Sequence, residues 1–153
     1  MTAPGPITVE TATWPLVVVT FRGAPGDGEL ADMLAEYARC LARREPFFAV
    51  NDALGLAIAP NAAQRKLIAA GMKQSAEAAR RWLVGAAAVI SNPILYGVIT
   101  AINWLSPFPC PISPSATLHE AVQIGVRTLA TRGVQLSAET HRFQRRVELE
   151  ARG

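Results

Sequence analysis

The chain has 153 residues, half of them hydrophobic, with a mean hydropathy of +0.21 and only 18% charged side chains. That is enough chain for one domain with a sizeable core, and too apolar a composition for disorder. The formal net charge of +3 is small, and its basic pairs (Arg43-Arg44, Arg80-Arg81, Arg145-Arg146) sit near helix ends or in the tail, so no nucleic-acid partner is expected, because that requires a continuous basic stripe.

Residues 1–6 form a Pro/Gly-containing lead. From Ile7 to Thr13 the chain alternates, with Ile7, Val9 and Thr11 on one face, the pattern of a half-buried strand. Trp14-Pro15 interrupts it, and Leu16 to Phe21 is almost continuously apolar and β-branched, as in a strand buried on both faces. The two are expected to pair as a hairpin. Gly23 to Gly28 is a turn cluster. Leu30, Met33, Leu34, Tyr37 and Leu41 then follow helical spacing, and Pro46 ends that helix.

Phe47 to Val50 reads as a short buried strand with Asn51-Asp52 at its carboxyl end, followed by an apolar loop over 53–60 that contains Leu54, Leu56 and Ile58. Asn61 and Gln64 have the spacing of a capping box, which starts a helix over about 62–81. Its small inner face (Gly71, Ser75 and Ala79 among Leu67, Ile68 and Met72) is expected to approach a sheet closely.

Leu83 to Leu105 is long and apolar enough to suggest a membrane span. The Asn92-Pro93 break argues instead for a central strand, Leu83–Ile90, then a helix with Asn92 as N-cap and Pro93 as its first residue. No transmembrane span is therefore expected. Ile94, Leu95, Val98, Ile99, Ile102 and Leu105 fall on the expected core face of that helix, and Tyr96, Thr100, Asn103 and Trp104 on another, either buried in the chain's own interior or an interface. Pro107, Pro109 and Pro111 enforce extended chain around Phe108, Cys110 and Ile112, an edge-type strand. Thr117 and Glu120 open a last helix, and Gly133 stops it. Residues 134–153 are polar and basic, with Phe143 and Val147 as a weak apolar stripe, and read as a peripheral or frayed helix or tail.

The order β-β-α-β-α-β-α-β-α predicts an α/β fold: a mixed, mostly parallel sheet of about five strands flanked by four helices over residues 1–133, plus the tail. This order resembles the STAS domain. Local pieces are similar to the STAS/CRAL-TRIO-like group of small bacterial proteins: Trp14-Pro15-Leu16-Val17-Val18-Val19, Pro46-Phe47 leading to Asp52, Ile99-Thr100-Ala101 through Trp104 with the following prolines, and Thr117-Leu118-His119-Glu120-Ala121. The resemblance implies regulation through protein contact, by a phosphorylatable Ser or Thr at a helix start. The matching segment, Asn51 to Lys66, contains neither residue, and Asn61 stands at the cap instead.

There is no phosphate-binding loop, dinucleotide fingerprint or nucleophile elbow. His119 and His141 lack metal-ligand spacing, so neither metal nor cofactor is expected, and His119 is expected to be exposed in the first turn of its helix. Cys40 and Cys110 read as packing residues. The opening MTAPGPITVE lacks a basic-then-apolar leader, so a cytoplasmic protein with reduced thiols is expected. Asp52 lies where open α/β sheets bind ligands, beyond a strand's carboxyl end; the alternative is that it caps its own loop. Three functions follow. The first is a non-enzymatic module contacting a protein partner or a second copy, with the 53–60 loop and the Asn61 helix start as its face. The second is a binder of a lipid or other apolar ligand through that loop and the Tyr96/Trp104 face. The third is an enzyme using Asp52, for which no accompanying base, nucleophile or oxyanion donors are evident.

Overall fold

The computed structural model describes residues 5–153; the first four residues of the Pro/Gly lead lie outside the described residues. It is an α/β fold with five strands: β1 (Ile7–Glu10), β2 (Leu16–Gly23), β3 (Phe47–Leu56), β4 (Leu83–Val89) and β5 (Ile112–Ser115). They lie in the spatial order of their numbering. β1 pairs antiparallel with β2, and every later pair is parallel, so the expected hairpin and mixed sheet are present. The helices are α1 (Asp27–Ala42), α2 (Ala62–Gln74), α3 (Ala76–Trp82), α4 (Pro93–Leu105), α5 (Leu118–Thr131) and α6 (Ala138–Arg152). The helix expected over 62–81 is two helices, divided at Ser75.

The sheet is packed differently on its two faces. Strand alternation sends Leu16, Val18, Phe48, Val50, Ala87 and Val89 to one side, where they meet Ala121, Val122 and Leu129 of α5. This face is full. A Cβ at Gly85 would lie 2.8 Å from Phe48 Cε2. The polar tail is part of this layer, which corrects the expectation of a peripheral or frayed element. Phe143 and Val147 of α6 are buried in the same cluster. Thr140 is wholly buried and donates to Thr13 O at 2.8 Å. Two apolar residues one turn apart suffice to dock a helix when each contributes about 1.5–3 kcal/mol on burial. Docking of α6 also covers His119, which is half-buried rather than exposed, with Nε2 4.0 Å from Glu148 Oε1.

The other face carries Val17, Val19, Phe47, Ala49 and Ala86 against Cys40 and Leu41 of α1 and Ala79 of α3. The expected close approach to the sheet is made by α3, through Ala79, and not by α2. The neighbours of α2 are α1, α3 and α4. Gly71 is used against α1, where a Cβ would lie 2.7 Å from Leu34 Cδ1. Ala69 of α2 joins Val98 and Ile102 of α4 in a separate small cluster. α2 and α4 thus form an outer tier that meets the strands only at one end, where Leu95 and Ile99 of α4 pack on Ala88, Ile90 and Ile112.

The stretch 83–105 resolves into β4 and α4. Asn92 Oδ1 accepts from Ile94 N at 2.9 Å and caps α4, with Pro93 as its first residue. No helix among the described residues is long and apolar enough to cross a membrane.

Candidate functional site: an apolar cavity beneath the outer helices

The outer tier leaves a cavity of about 240 Å³ over the middle of the sheet. Its floor is shallow because the residues there are small. Ala49 is paired with Ala86, and Asn51 with Ala88, across the central strands β3 and β4. Val17 and Val19 continue the floor, Leu30, Met33 and Tyr37 of α1 form one wall, and Ile68, Met72, Val98 and Ile102 form the roof. No Asp, Glu, Lys, Arg or His lines it. Burial raises the Tyr37 hydroxyl's pKa, assisted by the neighbouring Cys110 and Cys40 thiols. Burial also pushes the Cys110 thiol up to about 11 and raises that of Cys40, against a smaller lowering by Arg43. These groups therefore sit in the cavity wall in their neutral forms at ordinary pH. The one side-chain amide on the floor is Asn51, whose Nδ2 reaches Ala87 O at a long 3.4 Å.

A second hollow, of about 530 Å³ and open to solvent, lies beside the first. Ile99, Phe108 and Cys110 line both, as do Ala88 and Ile90 of the sheet side. Its remaining lining includes Tyr96, Thr100 and Asn103. Asn103 Oδ1 accepts from Phe108 N at 2.9 Å, which turns the chain from α4 into the proline-rich segment. Thr100 Oγ1 donates to Tyr96 O at 2.9 Å.

The expected site residues divide accordingly. Leu56 and Ile58 line the cavity, and Tyr96, Thr100 and Asn103 line the outer hollow. Leu54 is exposed and lines neither. The segment expected as a loop over 53–60 is strand as far as Leu56, since Arg22 and Gly23 of β2 pair with Gly55 and Leu56. Gly55 makes that close pairing possible: a Cβ there would meet Phe21 O at 2.8 Å. Asp52 caps its own backbone, its Oδ1 accepting from Leu54 N at 3.1 Å, and alternation puts it on the face opposite the cavity, with Phe48 and Val50. Asn61 lines neither hollow and starts α2: its Oδ1 accepts from Gln64 N at 2.8 Å, while Gln64 Oε1 accepts from Asn61 N at 3.0 Å. Trp104 lines neither hollow and is 83% exposed. Two members of the expected core face of α4 are also outside, Ile94 at 66% and Leu105 at 51% exposed. With α4 seated mainly on α2 and reaching the sheet through Leu95 and Ile99 beside Ala88 and Ile90, only the stripe Leu95, Val98 and Ile102 is buried.

Sequence reasoning missed the floor: Ala49, Asn51, Ala86 and Ala88. The signal was the run of small residues in Leu83-Val84-Gly85-Ala86-Ala87-Ala88 at the centre of the sheet. Among the described residues, no cluster of three His, Cys, Asp or Glu side chains could hold a metal ion. No protein-family model matches the chain, and no curated protein matches it.

Proposed function

We propose that this protein binds a small apolar or amphipathic molecule in the cavity between its sheet and the outer helices. The supporting observation is the cavity itself: about 240 Å³ with no charged residue in its lining. For scale, an enclosed apolar cavity of about 150 Å³ stays dry and takes up benzene. A ligand seated there removes apolar wall from water, which is favourable by about 25 cal/mol per Å². The test is native mass spectrometry of protein purified without detergent, together with exposure of the stripped protein to toluene. The expected result is a co-purifying apolar species or uptake of toluene; a clean unliganded mass with no uptake would reject the reading.

A second reading is favoured by a separate observation. The outward side of α4 exposes Ile94, Trp104 and Leu105 on a helix without a charged residue, and Ile58 is 65% exposed nearby in sequence to α2. Large apolar side chains in this position suit contact with a protein partner or a second copy. The STAS-like kinship belongs with this reading, supported by the element order through α5. So does a cytoplasmic location, with Cys40 and Cys110 as free thiols. Light scattering after size exclusion is expected to show an assembly that Trp104→Asp dissolves. A strict monomer at all concentrations with no co-purifying protein would count against it.

A further inference from the structure

We infer that the outer hollow is a head-group subsite for an uncharged polar group, specifically a hydroxyl, whose attached hydrocarbon chain lies in the inner cavity. This rests on the ligand-binding reading above and adds which class of ligand fits.

Three observations carry it. First, the two hollows adjoin, since Ile99, Phe108 and Cys110 line both. A molecule with its polar end at Tyr96, Thr100 and Asn103 has its chain directed past these residues toward the floor at Ala86 and Ala88. Second, Tyr96, Thr100 and Asn103 of the outer hollow complement a hydroxyl, while the inner lining is mostly apolar, with Tyr37, Asn51 and Gln64 as its polar side chains. Thr100 commits its proton to Tyr96 O and keeps lone pairs to accept. Asn103 commits Oδ1 to Phe108 N and keeps its amide protons to donate. The Tyr96 hydroxyl can do either. A hydroxyl head both donates and accepts, so it satisfies both neighbours; a carboxylate only accepts and leaves Thr100 unmatched. Third, no counter-charge is available. From Trp82 to Leu118 the chain has no Asp, Glu, Lys, Arg or His, and no other segment contributes to the lining of the outer hollow. A carboxylate, phosphate or ammonium in this open hollow therefore gains no ion pair from the wall, whereas a hydroxyl gains both hydrogen bonds.

The test is titration of the wild-type protein with 1-octanol, octanoate and octylammonium at pH 7.5, with toluene as a head-free probe. The expected order is 1-octanol at least tenfold tighter than either ion. The double variant Tyr96→Phe/Thr100→Val, which alters only exposed side chains of α4, is expected to weaken 1-octanol severalfold and leave toluene unchanged. Octanoate or octylammonium binding as tightly as 1-octanol, or a double variant that weakens toluene equally or weakens nothing, would overturn the head-group assignment while the cavity reading stands. Failure of all four probes would overturn both.

Discussion

Phe48 and Gly125 are in direct contact across the sheet–α5 interface: a Cβ on Gly125 would lie 2.8 Å from Phe48 Cδ1, and 2.7 Å from Leu16 Cδ1. Phe48 is almost wholly buried, and its ring also covers Gly85 on β4. The ring thus has glycine on either side. This face of the sheet is filled to the limit, whereas alanines on the other face lie beneath open space.

Gly125→Ala is therefore expected to destabilise the protein. Helix propensity alone favours the change by about 1 kcal/mol. Overpacking opposes it at about 1–3 kcal/mol, and here the obstructing atoms are Leu16 Cδ1 and the Phe48 ring, both almost wholly buried. Urea denaturation is expected to show a net loss of up to about 2 kcal/mol; a gain in stability would mean that α5 stands further from Phe48.

Ala86→Leu puts a larger change on the opposite face. Because Ala86 lies on the cavity floor, the added carbons enter existing space, and the folding free energy is expected to stay within about 1.5 kcal/mol of wild type. Uptake of toluene is expected to fall at least tenfold. A loss of several kcal/mol in the same denaturation experiment would show that the floor is not hollow.

Phe143→Ala tests whether the polar C-terminal helix is part of the fold. Phe143 is buried with Leu16, Val50 and Val122 in the main cluster. Its truncation is expected to cost about 3–5 kcal/mol. A cost below about 0.5 kcal/mol is the signature of a surface substitution and would return α6 to the status of a peripheral tail.

The Cys110 thiol, pushed up to about 11 by burial, predicts slow alkylation. Only the thiolate reacts, and at pH 8 a thiol of that pKa is about a hundredfold less ionised than one at 9. Iodoacetamide labelling at Cys110, read by peptide mass spectrometry, is expected to be slow at pH 8 and to accelerate up to about pH 11. The same shift makes the native state the better proton binder, so its contribution to stability is intact below about pH 9 and is lost as pH rises toward 11. Because Cys110 lines both hollows, bound 1-octanol is expected to slow labelling further. Fast labelling at pH 8 that is indifferent to ligand would contradict the placement of this side chain.

Much of the fold is legible in the sequence because its signals are local. The alternation in Ile7–Glu10, the continuous apolar run of β2, the Asn61, Asn92 and Thr117 caps and the Gly133 stop all depend on near neighbours. What depends on distant partners is less legible. The small face of the 62–81 segment correctly indicates a close approach, but only the folded chain shows that Gly71 approaches Leu34 of α1 and not a strand. The cavity follows from that choice, since alanines at 49, 86 and 88 are filled over or left open according to where α2 rests. Phe143 and Val147 were visible as a stripe, yet their docking depends on space left beside α5. At the site, Leu56, Ile58, Tyr96, Thr100 and Asn103 stood out as unexpected surface, whereas Asp52 attracted notice by its position at a strand end and turned out to face away.

The account's central claim is that the inner cavity takes a ligand, and thermal unfolding with and without 1-octanol tests it most directly. At a hundredfold excess over Kd, a ligand bound only by the native state adds about 2.7 kcal/mol. For a chain of this length, about 1 kcal/mol moves Tm by about 2–4 °C. The predicted result is a rise of about 5–10 °C for the wild-type protein and at most about half of that for Ala86→Leu, whose tenfold weaker binding leaves about 1.4 kcal/mol; an unchanged Tm in the wild type, or an equal rise in both, would contradict it.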